Sequence, residues 1–322
     1  MKICTITCSN VDNHGARLQA YALAKYLQCQ GNDVQIIDYR PSYLDPPYRV
    51  LFWPGFSLKE WVKFFLRIGD RIRSKKRHLC FTLFSEKYLP LTKEVYRSVD
   101  ELRDHPPMAD LYIAGSDQIW NTTFPNGTDP AFYLDFGPKT IRRESYAASF
   151  ATETLRPGTE DFIREHLARF DKISVREDSG LTILDQLGIR GGERNDDPVF
   201  LLSSQLWNEL ADGEGEGNHY LLVYDFFSDR TIKEKAKALA KSKDLQIFSI
   251  SPVKQHYADK NYTIAGPETF VSLVKNADYV VTNSYHALAF CMIFHREYQF
   301  VPRPDGMNKR MEDLIRRHTA NV

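Results

Sequence analysis

Apolar and polar positions change rhythm in blocks along the chain, and the blocks read as strands and helices in turn. Lys2 to Thr7 is a short β-forming run, followed by the polar turn Ser9-Asn10-Val11-Asp12-Asn13-His14-Gly15. From Ala16 to Gln30 the spacing is helical. Leu18, Ala22, Tyr26 and Cys29 lie near one stripe, and Gly31 is placed to end the helix. Val34 to Tyr39 is a second strand and closes a βαβ unit. Arg40 to Pro54, rich in Pro and Tyr, reads as loop. Ser57 to Arg73 then predicts an amphipathic helix. One face carries Leu58, Trp61, Val62, Phe65, Ile68 and Ile72, and the other Lys59, Lys63, Arg67, Arg71 and Arg73.

The same alternation runs to the end. Strands are expected at Asp110–Gly115, Ser145–Phe150 and Lys172–Arg176, with helices at Thr159–Phe170 and Asp178–Leu187. The Gly-, Asp- and Asn-rich stretch 191–198 marks a domain boundary, which divides the chain into 1–195 and 196–322. Strands follow at Tyr220–Phe226, Leu245–Ile250, Asp278–Thr282 and Tyr298–Val301, with helices at Asp229–Lys241, Pro267–Lys275 and Tyr285–Phe294. Gly213-Glu214-Gly215-Glu216-Gly217 reads as a flexible connector. Strands alternating with helices mean an α/β fold with largely parallel sheets. Two such units side by side put a cleft between them, and ligands of open parallel sheets bind at the carboxyl ends of the strands.

Composition narrows the function. Lys+Arg and Asp+Glu are both 42, so the formal net charge is zero, which argues against a chain built to bind nucleic acid. No run of ~18 apolar residues is present to span a membrane, and the N-terminus lacks the pattern of a signal peptide. The five cysteines form no CxxC pair and read as reduced core fillers of a cytoplasmic protein. The basic face near residues 57–77 has two readings: a solvated helix face, which is the commoner case, or peripheral contact with an anionic membrane. There is no GxxxxGK[ST], no GxGxxG after a strand, no Asp-x-Asp, no HExxH and no GxSxG. Kinase, dehydrogenase and serine-hydrolase readings lose most of their support, and the case for a metal-dependent sugar-nucleotide enzyme is weakened.

Four segments fall where the architecture predicts chemistry. Asn13-His14-Gly15-Ala16 joins the first strand to the first helix, whose N-terminus offers N–H groups to an anion. Gly115-Ser116-Asp117-Gln118-Ile119-Trp120-Asn121 follows a strand directly. Ser116, Asp117, Gln118 and Asn121 supply polar groups and Trp120 a flat apolar face, a mixture that suits a sugar; the bland alternative is an Asx turn with a buried Trp. In Ser174-Val175-Arg176-Glu177 an arginine leaves a buried strand. It binds either an anionic ligand or an internal acid such as Glu177. In Asn283-Ser284-Tyr285-His286, Ser284 is a plausible N-cap that sets His286 in the first turn, where an imidazole can act as acid or base.

Taken in order, these segments resemble the polysaccharide pyruvyl transferase family. The resemblance rests on Asn13-x-Gly15-Ala16-x-Leu18-Gln19-Ala20-Tyr21, Gly115-Ser116-Asp117-Gln118-x-Trp120-Asn121, Ser145-Tyr146-Ala147-Ala148-Ser149-Phe150, Val175-Arg176-Glu177, Asp197-Pro198-Val199-Phe200 and Thr282-Asn283-Ser284-Tyr285-His286. It implies two Rossmann-like domains facing across a cleft, as in GT-B glycosyltransferases, with the acceptor on the N-terminal side and the donor on the C-terminal side. The implied reaction moves pyruvate from phosphoenolpyruvate to two sugar hydroxyls, forming a cyclic ketal and releasing phosphate, with no metal and no cofactor implied. The implied acceptor is a sugar residue, free or lipid-linked, of an exopolysaccharide, capsule or cell-wall polymer.

By the same resemblance Arg176 binds a donor anion and His286 moves protons. Asn13, Gly15, Asp117 and Gln118 line the acceptor side. Some branches carry an arginine two residues before the histidine, where this chain has Ser284 beside Asn283. One anion contact then falls to Lys309 or Arg310 in the last basic segment. Many members also place Gly where this chain has Ala287, and members often continue beyond the position of Val322 with a further helix. Two competing functions share the fold: a glycosyltransferase using a nucleotide sugar, and a saccharide-binding protein without catalysis.

Overall fold

The computed structural model describes residues 1–44, 58–225, 229–303 and 308–319, with side chains of the long second helix described from residue 68 on. The chain forms two compact units. One comprises Met1–Asp45, Tyr88–Ser203 and Arg303–Val322, and the other Pro46–Lys87 and Ser204–Pro302. This differs from contiguous halves split at residue 195. The division falls after Ser203, a helical excursion before residue 88 belongs with the second half, and the C-terminal segment returns to the first. Hydrophobic periodicity reports what is buried and not against which unit, so excursions of this kind leave no mark in it.

In chain order the first elements are β1 (Lys2–Ile6), α1 (His14–Cys29), β2 (Asp33–Tyr39), α2 (Leu58–Tyr88), β3 (Leu91–Tyr96), α3 (Val99–Asp104), β4 (Leu111–Ala114) and β5 (Arg142–Ser145). Then come α4 (Glu160–Leu167), β6 (Ser174–Val175), α5 (Asp178–Gln186) and β7 (Glu193–Arg194). The first unit is built on a parallel sheet of order β3-β2-β1-β4-β5. Ile3 to Ile6 and Leu111 to Ala114 are buried without a break. A parallel sheet covered on both faces needs such unbroken apolar strands.

One expected strand is shortened, and a strand without an expectation appears at the sheet edge. The strand expected over Ser145–Phe150 ends at Ser145, because Ala147 takes a left-handed φ of 47° that an extended ladder does not allow. Residues beyond it cross the sheet end instead, with bridges from Ala148 to Asp117 and Val175. Leu91–Tyr96 drew no expectation. Its charged middle places Lys93 and Glu94 in solvent at the sheet edge, which hides the strand pattern.

The second unit contains α6 (Ser204–Leu210), β8 (Tyr220–Tyr224), α7 (Arg230–Lys243), β9 (Gln246–Ile250), β10 (Lys260–Tyr262), α8 (Pro267–Asn276), β11 (Tyr279–Thr282), α9 (Tyr285–Ile293) and β12 (Glu297–Phe300). Its sheet, also parallel, has the order β10-β9-β8-β11-β12. Counted within each unit, both sheets run 3-2-1-4-5, the order of a Rossmann-like domain. The fold class is therefore α/β with two Rossmann-like domains, as expected. α10 (Lys309–Thr319) closes the chain and belongs to the first unit.

The glycine-rich connector is not loose. Glu214 accepts from Lys260 Nζ and Tyr262 OH, each at 2.8 Å, and its carbonyl accepts from Ser272 Oγ (3.0 Å) and Asn276 Nδ2 (3.1 Å). Those hydrogen bonds hold the Glu214 carboxyl below its ordinary range. α2 runs on past Arg73 to Tyr88. It buries Phe81 and Phe84 and leaves Ile72, Leu79 and Leu83 exposed. Side chains 57–67 of the basic amphipathic face lie outside the described residues. Among the described residues no helix is long and apolar enough to cross a membrane.

Candidate functional site

At the carboxyl end of the first sheet, three loops are knitted by buried polar groups. Gln19, fully buried on α1, donates from Nε2 to Thr7 Oγ1 at 2.9 Å and accepts from the Ser116 N–H at 3.1 Å. Thr7 Oγ1 in turn donates to the Ser116 carbonyl (2.9 Å), and Ser116 Oγ to the Ala147 carbonyl (2.6 Å). Each donor that burial strips of water is thereby met. Ser116 is thus a structural link between loops. Nothing in the spacing of Thr7 and Gln19 singles them out, since their partner lies 97 or more positions away.

Asn13 caps α1, its side chain accepting from the Ala16 N–H at 3.2 Å, and Gly15 is buried in the first turn behind it. Asp117 takes a left-handed φ of 71° and stays half-buried, with its carbonyl accepting from the Ser149 N–H (2.9 Å). Such strain in a non-glycine residue collects at functional sites. Asn121 is buried, and its Oδ1 accepts from Thr123 N and Oγ1 at 3.0 and 2.7 Å. Cys8 lies at the same sheet end, where burial and the nearby Asp117 and Asp129 carboxylates push its thiol well up. It is a protonated filler at neutral pH.

Trp120 is placed differently from the sugar platform expected of it. The ring is fully buried, stacks on Tyr133 at 5.6 Å with a 12° interplanar angle, and touches Phe150 and Phe170. Its Nε1 donates to the Phe132 carbonyl at 3.1 Å. The bland alternative, a buried Trp beneath a polar turn, describes it. Trp120→Ala should lower the unfolding free energy by ~3–5 kcal/mol in a urea titration, the cost of a large aromatic lost from a core.

Arg176 also turns inward. It is 1% exposed, with Nε donating to Glu177 Oε1 at 3.1 Å and a terminal N–H to Asp197 Oδ2 at 2.8 Å. Glu177 Oε1 accepts from Ser149 Oγ as well, at 2.5 Å, and Asp197 Oδ1 caps the turn at Val199 (3.2 Å). The anions that Arg176 meets within the chain are Glu177 and Asp197. Through them it fixes the loops after β5 and β7 against one another.

The second unit carries its own strand-end cluster. Thr282 Oγ1 donates to the Tyr224 carbonyl (2.8 Å) and accepts from the Ser284 N–H (3.0 Å). Asn283, buried, approaches the buried Asp225 carboxylate at 3.5 Å. Ser284 does occupy the N-cap position of α9, but its hydroxyl makes no capping bond. α9 is apolar almost all round, and its residues Tyr285 and Ala287–Cys291 are buried. His286, in the first turn, is half-buried and lies edge-on to Tyr285 at 5.3 Å. Lys309 and Arg310 both lie on α10. Lys309 is exposed and reaches Asp313 at 4.0 Å, whereas Arg310 is buried.

A cavity of about 860 Å³ opens at the other edge of the first sheet, lined among others by Arg103, Asp135, Lys139, Arg143 and Arg169. Arg103 and Arg169 are paired with Asp135, and Arg143 is spent on five backbone carbonyls from Leu134 to Ile141. It lies away from the strand carboxyl ends and does not enter the site. Among the described residues no three metal-ligating side chains cluster.

Two parallel 3-2-1-4-5 sheets with polar clusters at their carboxyl ends define a two-domain α/β protein of the Rossmann-like class. Its family follows from the sequence match: the family model "Polysaccharide pyruvyl transferase" covers residues 13–297, and the chain belongs to that family. No curated protein matches. Among solved structures, the chain is similar to UDP-GlcNAc 2-epimerase from Methanocaldococcus jannaschii. The identity is 12%, 98% of this chain and 92% of that one are covered, and the TM-score is 0.48. The Rickettsia bellii UDP-N-acetylglucosamine 2-epimerase follows at 10% identity, with 98% and 87% covered and a TM-score of 0.47. E. coli heptosyltransferase WaaC with ADP is at 9%, with 99% and 98% covered and a TM-score of 0.40.

Proposed function

We propose that the protein transfers pyruvate from phosphoenolpyruvate to two hydroxyls of a sugar, forming a cyclic ketal and releasing phosphate. Membership of the pyruvyl transferase family over residues 13–297 carries this reading. The acceptor is a sugar residue of a polysaccharide or of its lipid-linked precursor. The reaction runs in the cytoplasm, at the inner face of the membrane when the acceptor is lipid-linked.

The chemistry balances as follows. One sugar hydroxyl adds to the enol carbon as its methylene takes a proton and becomes methyl. The second hydroxyl then replaces phosphate on the same carbon. Two hydroxyl protons are released in all, one to the methyl group and one to phosphate. His286, half-buried at the head of α9, is the group that moves them. The N-terminal end of α9, where the helix dipole is positive, receives negative charge, and Asn13, Asp117 and Gln118 meet sugar hydroxyls. Arg176 acts as a positioning residue through Glu177 and Asp197.

Incubation with phosphoenolpyruvate and a panel of galactosides and N-acetylhexosamines tests the reading. Phosphate release that depends on a sugar is expected. Release of nucleoside diphosphate from a sugar nucleotide, with phosphoenolpyruvate untouched, would overturn it in favour of glycosyl transfer.

A further inference from the structure

The cavity beside Arg143 takes no part in the chemistry proposed above. Residues 103–106 run towards β4 and residues 134–143 into β5, so it lies at the amino ends of these strands, within the first unit. Arg143 shapes it. The buried guanidinium gathers the carbonyls of Leu134, Phe136, Gly137, Pro138 and Ile141 at 2.7–3.2 Å, and the loop before β5 is wrapped around it.

The lining is cationic. Arg103, Lys139, Arg143 and Arg169 face a single acid, Asp135. One oxygen of Asp135 accepts from Arg103 at 2.5 Å and the other from Arg169, so two guanidinium groups share one carboxylate. Their further partners, Asp100 and Glu165, are 78% and 72% exposed, where an ion pair is worth little. Arg143 meets carbonyl dipoles but, among the described residues, no carboxylate within pairing distance. Lys139 is exposed and among the described residues pairs with no acid. The surplus charge is positive and turned towards an open space.

That space holds more than a small ion. About 860 Å³ falls within the roughly 300–1,000 Å³ usual for small-molecule sites. Pro106, Phe136 and Pro138 set apolar surface between the cations. Such a lining suits a sugar ring that carries a carboxylate. The C–H face of the ring lies on apolar groups, and an arginine fork takes the carboxylate by two parallel hydrogen bonds.

We infer that this cavity binds a carboxylate-bearing sugar, at a second site remote from the carboxyl ends of the strands. A uronic acid and a sugar carrying the pyruvyl ketal offer the same chemistry. That the occupant is the ketal, the product of an earlier turnover, rests on the proposed function; the affinity for a sugar carboxylate does not. β4 is four residues long, about 13 Å from end to end, so the two ends of the sheet are a few sugars apart. A modified residue held here anchors the polymer while a further one is presented to the chemistry.

The test is calorimetric titration of the full chain without phosphoenolpyruvate. The probes are glucuronate, a methyl galactoside bearing a pyruvate ketal, the unmodified methyl galactoside and inorganic phosphate. At least one acidic sugar should bind roughly ten-fold or more tightly than the neutral sugar or phosphate. Preference for the ketal makes it the occupant; preference for glucuronate upholds the site and assigns it to a uronic residue. Lys139→Glu breaks no ion pair, so its unfolding midpoint should stay at the wild-type value while the acidic sugar binds roughly ten-fold more weakly. The double variant Lys139→Gln with Arg169→Gln should lose at least as much. Phosphate bound as tightly as the acidic sugars, no binding of either acid, or unaltered affinity in both variants would overturn the inference. Sugar-dependent phosphate release by a chain that binds neither acid would sink this site and leave the proposed function standing. Acidic-sugar binding lost in the variants, by a chain that leaves phosphoenolpyruvate untouched, would uphold the site and sink the reaction.

Discussion

Replacing Arg176 by methionine should lower the unfolding free energy by ~3–5 kcal/mol, the cost of removing one partner from a buried ion-paired cluster. Glu177 and Asp197 are 2% and 0% exposed and would be left without their cation. Denaturant titration followed by intrinsic fluorescence reads this directly. Arg176→Lys should recover part of the loss, since it restores charge but not the two-pronged geometry that spans both carboxylates. Unchanged stability with a selective loss of donor affinity would mean that the arginine serves a ligand and not the fold.

His286→Ala should show the reverse pattern. The side chain is half-buried at the start of α9, so its loss should cost no more than ~1 kcal/mol of stability. Turnover, followed as sugar-dependent phosphate release, should fall ~10²–10⁴-fold, the usual contribution of a positioned acid–base group. Near wild-type turnover in this variant would remove the histidine from the chemistry. Together the two variants separate what holds the loops from what moves the protons.

The alternation of apolar runs and helical stripes was enough to place the central strands of both sheets, because strands such as β4, β8 and β11 are short, largely apolar segments between polar turns. It also located the strand-end loops where the polar clusters lie. The direction in which a strand-end side chain turns was not legible. Arg176 reads as an anion binder with an internal pair as the lesser alternative, and its contact with Asp197, a residue 21 positions on, comes from the fold alone. Trp120 was misplaced for a related reason: Phe150 and Phe170, which enclose it, belong to later segments. Arg310 shares with Lys309 the anion contact that the resemblance places in the last basic segment. Its burial follows from α10 rejoining the first unit, a return that no local pattern announces.

The central claim is that pyruvate ends up bridging two oxygens of one sugar, and the structure of the product tests it most directly. Phosphoenolpyruvate labelled at its enol carbon should be incubated with the protein and the acceptor that supports phosphate release, and the purified sugar examined by carbon NMR. The account predicts the label in a ketal carbon bonded to two sugar oxygens and a methyl group, with an equimolar amount of phosphate freed. Label recovered as free pyruvate or unreacted donor, with the sugar unmodified, would contradict it.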